Sequence, residues 1–62
     1  MNIEMLKKEF QEILTHETRA KIFYDHYIEQ IDDPRIKERF ISIRNDEAAH
    51  MKVAEKLIEL VS

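Results

Sequence analysis

Ile31-Asp32-Asp33-Pro34 divides this 62-residue chain into two halves of nearly equal length. A residue that precedes proline is pushed out of the helical region of backbone space. Asp33 is also a good cap for a following helix, and Pro34 suits that helix's first position, where its missing N–H would be unpaired anyway. The stretch therefore predicts a helix ending here, a tight turn at 32–33 and a second helix opening at Pro34.

On either side of the turn the apolar residues recur with helical spacing. Upstream, Ile3, Leu6, Phe10, Ile13, Glu17, Ala20, Tyr24, Tyr27 and Ile31 follow steps of three and four; downstream, Ile36, Phe40, Ile43, Glu47, His50, Ala54, Leu57 and Val61 do the same. The expected elements are a helix over 3–31 and a helix over 34–61, each about 42 Å long. Residues 1–62 are read as a single all-α domain, a two-helix antiparallel hairpin. A composition with no Gly, one Pro and 37% charged residues agrees with long helices rather than a sheet.

Such a hairpin is not self-sufficient. A chain this short buries only about 60% of the surface its unfolded form exposes. With no Cys it has no disulfide to compensate, which leaves a metal or self-association. Leu14, Phe23, Ile28, Met51, Val53, Ile58 and Leu60 widen the apolar face beyond what a two-stranded coil covers. Two hairpins packed as a four-helix bundle would cover it, so a homodimer is the simplest expected assembly. Ile22 and Ile41, apolar on outward faces, hint at contacts between dimers and a higher-order oligomer.

Three seam positions are ionisable. Glu17 lies 15 residues before Asp32 and Glu47 lies 15 after it, so the two carboxylates are expected at one height above the turn. His50, three residues beyond Glu47, shares its helical face and reaches the same layer. A two-fold dimer would then gather four Glu and two His in one poorly solvated cavity, where like charges repel. Two divalent cations cancel that charge, and carboxylate-rich ligation with one imidazole per metal suits iron or manganese, with zinc and cobalt as substitutes. The bland alternative is a polar layer that only fixes the register of a structural hairpin, with any metal adventitious.

The remaining charge excludes other classes. Of the net −3, Glu17 and Glu47 account for −2, leaving a nearly balanced surface with no basic patch for nucleic acid. No apolar run approaches the roughly 18 residues of a membrane span. The start Met1-Asn2-Ile3-Glu4 also lacks the blocks of a signal peptide, so the expected location is cytoplasmic.

A Glu on one helix and Glu-x-x-His on the next resembles half of a ferritin-like or rubrerythrin protein. The resemblance is closest to the metal-binding hairpin of the encapsulated ferritins and covers about residues 10–61. It implies a ferritin-like four-helix bundle and a di-iron centre, completed by a second subunit, that oxidises Fe(II) with dioxygen or peroxide. The matching residues are Glu17, Tyr24, Glu47 and His50. The designed Due Ferri hairpins are similar, and their Asp before the second Glu, which steadies the partner's His, corresponds to Asp46. The encapsulated ferritins add a short helix and a tail that directs them into a protein nanocompartment, for which nothing up to Ser62 is a counterpart. The Cys-rich rubredoxin module of complete rubrerythrins is missing too, so any electron donor would be another protein, and peroxide scavenging is the rival activity.

Around the ligand layer, Tyr24 is expected to hydrogen-bond a ligand carboxylate or, as the bland reading, to be a core aromatic. Asp46 is expected to fix the ring of His50 in the other chain, or to be a solvated helix residue. Ala20 and Ala54 leave room beside the layer, and His16 and His26 are read as surface residues.

Overall fold

The computed structural model describes all of residues 1–62 and contains two helices, α1 (Ile3–Ile28) and α2 (Pro34–Leu60), and no strand. Each helix begins where a side chain satisfies its free amides. Asn2 accepts from Met5 N–H at 2.9 Å, and Asp33 accepts from Arg35 and Ile36 N–H at 2.9 and 3.3 Å. A cap of this kind is typically worth about 1 kcal/mol. Asp33 is extended (φ −70°, ψ 116°), as a residue before proline must be, and Pro34 opens α2.

α1 stops at Ile28 instead of continuing to Ile31, and α2 stops at Leu60 with Val61 as its cap. The first difference has a geometric cause. Two extended residues span about 7 Å, which is short of the roughly 8–10 Å between packed helix axes, so Asp32 and Asp33 alone cannot carry the chain across. The helix unwinds earlier: the amides of Gln30 and Ile31 both donate to Tyr27 O at 3.0 Å, and Ile31 folds back half-buried in the connection.

The helices run antiparallel. Moving back along α1 from Tyr24 to Glu17 matches moving forward along α2 from Phe40 to Glu47: the rings of Tyr24 and Phe40 meet edge-on with centroids 5.4 Å apart, and Glu17 lies beside Glu47. The molecule measures 47 × 15 × 13 Å. A 26-residue helix is about 39 Å long, so the two lie side by side over most of the rod.

This hairpin encloses almost nothing. Only Ala54, at 1% exposure, is buried. Ile13, Phe23, Tyr27, Ile36, Ile43 and Val53 all remain exposed. At 100° per residue, Ile13, Ala20 and Tyr27 trail the residues of α1 that face α2 by about a quarter turn, and Ile43, His50 and Leu57 trail those of α2 that face α1 in the same sense. In antiparallel helices equal rotations point to one face of the pair. One side of the hairpin is therefore a mostly apolar surface with His50 at its centre. Ile22 is exposed toward the opposite side, while Ile41 is half-buried. No helix is long and apolar enough to cross a membrane.

Candidate metal centre

The seams that build the hairpin also assemble the ionisable layer. Ligand atoms of Glu17, Glu47 and His50 all lie within 4.8 Å of one another. Glu17 comes from the middle of α1, while Glu47 is the central residue of α2, with 13 helical residues on each side. His50 follows one turn later on the same helix. The two carboxylates are half-buried and the imidazole is exposed, on the open apolar face.

The hydrogen-bonding state of the layer is informative. None of the three side chains forms a hydrogen bond or ion pair within the chain. Glu17 Oε2 is fully buried and without a partner. Buried carboxylate oxygens in native proteins are nearly always paired, so an orphan of this kind is a place for a cation or a donor from elsewhere. A cation held by two carboxylates and an imidazole fits the donor set. Three side chains do not fill the octahedral sphere that Mn(II) and similar ions favour, so positions remain for further ligands.

The neighbouring residues are placed less specifically. Tyr24 is half-buried and held by its ring, edge-on to Phe23 and Phe40 at 5.4 Å each. Its hydroxyl and the exposed Asp46 carboxylate form no hydrogen bond within the hairpin. His16 and His26 are on the surface; His26 pairs with Gln30 at 3.0 Å and lies against Tyr27. Ala54 packs fully and Ala20 is half-buried beside the layer.

A polar contact between the helices has only half of its signal in the sequence. Arg44 Nη1 donates to Asp25 Oδ1 at 2.8 Å across the hairpin, and Lys21 Nζ donates to Asp25 Oδ2 at 2.8 Å along α1. The Lys21 to Asp25 spacing is visible as an i,i+4 pair, whereas its extension to Arg44 depends on the packing of α2. Hydrogen bonds from Lys21 and then Arg44 hold the Asp25 carboxyl below its ordinary value of 3.8, against desolvation. A depressed folded-state pKa adds stability above the unfolded value and loses it as pH falls through the folded value. The stability gap between wild type and Asp25→Asn should therefore be steady above about pH 5 and narrow below it. Urea melts across that range measure it, and a gap equally wide at about pH 2 and about pH 7 would contradict the assignment.

Compared with models of protein families, with curated proteins and with solved structures, the chain gives no match.

Proposed function

We propose that this chain is a ferritin-like di-iron protein: two copies pair through the open apolar face into a four-helix bundle, and Glu17, Glu47 and His50 of both copies hold two iron ions. The observation that carries this reading is the convergence of the three ligand atoms within 4.8 Å, one carboxylate oxygen being buried and unpartnered. The exposed apolar residues beside His50 supply the reason for pairing. A face of this kind on a chain with one buried residue is covered most simply by its own copy, which also brings the missing ligands.

Fe(II) is the substrate as well as the occupant. A pair of Fe(II) ions held by Glu17, Glu47 and His50 would supply two electrons, either to dioxygen, which with two protons would leave as hydrogen peroxide, or to hydrogen peroxide, which with two protons would leave as two waters. The chain contributes charge and geometry rather than a nucleophile. The carboxylates of Glu17 and Glu47 offset the positive charge that oxidation increases, and the imidazole of His50 sets the third position. The Tyr24 hydroxyl and Asp46 remain free to steady ligands of the assembled pair. The working compartment is the cytoplasm, and an electron-donor protein is the proposed partner.

Fe(II) added in air should produce a ferric absorbance that saturates at one metal per chain, and Glu47→Ala should not produce it. Absorbance that fails to appear, or appears equally in the variant, would overturn the reading. Comparing turnover with dioxygen and with peroxide assigns the oxidant and separates iron handling from peroxide removal.

A further inference from the structure

We propose that Arg44, through its hydrogen bond to Asp25, is a positioning residue for the metal centre, fixing the rotation of α2 that turns Glu47 and His50 toward Glu17. The inference rests on the metal-site reading above and concerns what holds the site in shape.

The need for such a device follows from the breadth of the apolar surfaces. Helix faces lined by interchangeable Ile, Leu, Val and Phe side chains can roll against each other with small changes in buried area. A helix with its side chains has a radius of about 5–6 Å, so a roll of about 30° moves a ligand atom by about 3 Å. Metal–ligand distances tolerate only about 0.2 Å. Apolar packing alone is therefore too permissive by an order of magnitude.

The Arg44 to Asp25 contact supplies the missing constraint. It is the one side-chain hydrogen bond that joins the two helices, all others falling within one helix or between it and its flanking residues. Both ends are themselves held: Asp25 by Lys21 at 2.8 Å, and the guanidinium by Asn45 Oδ1, which accepts from Arg44 Nε at 2.9 Å. The side chains of Arg44 and Asp25 are 30% and 36% exposed, so the contact is partly shielded from water. Arg44 precedes Glu47 by three residues, close to one helical turn, and a turn of helix transmits rotation rigidly. By helical phase the contact also lies on the other flank of the seam from His50. It ties the helices together on the back while leaving the open face free.

Co(II) is the probe, because its visible bands report ligand geometry as well as occupancy. Arg44→Met keeps the aliphatic stem and removes the donor, Asp25→Asn removes the charge at constant size, and Arg44→Lys restores a donor of similar reach. Arg44→Met should bind Co(II) about tenfold more weakly, at unchanged stoichiometry and with altered visible bands; loss of groups that support metal ligands has effects of this size. Asp25→Asn should reproduce the loss and Arg44→Lys should recover most of it, with the metal-free stability of each variant measured beside it so that affinity is compared on folded protein. Affinity within about twofold of wild type in both Arg44→Met and Asp25→Asn, or equal weakening in Arg44→Lys, would overturn the positioning role. If Arg44→Met does not fold, Asp25→Asn decides. A wild-type chain that binds no Co(II) would remove the metal site itself, and the positioning role with it.

Discussion

Saturating Co(II), or Fe(II) under nitrogen, should raise the melting temperature of this chain by roughly 10–30 °C. Ligand at about 100–1,000 times its dissociation constant stabilises a site by about 2.7–4.1 kcal/mol, and in a domain this small each kcal/mol moves the midpoint by about 4–8 °C. The effect is large because the metal-free state carries an unpartnered, buried Glu17 Oε2 beside a second half-buried carboxylate. Bound cation converts that repulsion into attraction. Glu47→Ala removes a ligand and half of the layer's negative charge together, so the metal-free variant should melt at or above wild type and gain only a small increment from metal. Thermal melts followed by circular dichroism measure both. Equal metal-induced shifts in wild type and Glu47→Ala would show that the cation binds elsewhere.

The second large effect concerns the open face. Ile43 and Ile22 are both exposed in a single hairpin, at 38% and 62%. If the hairpin were the functional unit, an Asp at either position would be tolerated within about 0.5 kcal/mol. In a pair of hairpins joined through the His50 face the two positions differ sharply. Ile43→Asp places a charge on the surface the second copy covers, where an unpaired buried charge costs several kcal/mol. A core this small rarely supplies more than about 3–5 kcal/mol in all. The variant should therefore lose both the dimer and most of its helical signal, while Ile22→Asp, on the other side, should change neither. Analytical ultracentrifugation reads the outcome against the 7.5 kDa mass of one chain. Dimerisation by Ile43→Asp, or equal disruption by Ile22→Asp, would contradict the assignment of the face.

The course of the chain and the composition of the site are legible in the residues, for physical reasons that also mark where that legibility ends. Asp33-Pro34 dictates local backbone geometry, and the three-four spacing dictates which side of each helix is apolar. Together they place Glu17, Glu47 and His50 in one layer, where the folded chain holds them. α1 ends three residues before the seam pattern does, because apolar Ile31 continues the spacing while the crossing distance between helices, a property of the packed pair, overrides it. The Asp25 to Arg44 contact is hidden for a related reason: a hydrogen bond across the hairpin depends on the rotation of both helices, and spacing within one helix carries no such information. His50 is exposed where its seam position suggests a more enclosed site, because two helices alone leave that side of the layer open.

Native mass spectrometry of the chain after addition of Fe(II) under nitrogen, or of Co(II), tests the shared site most directly, since it counts chains and metals in one particle. The expected species is two chains carrying two metal ions, absent when Glu17, Glu47 or His50 is replaced by Ala. A single chain holding one metal, or a two-chain species whose metal content is unaffected by those replacements, would contradict a centre built by two copies.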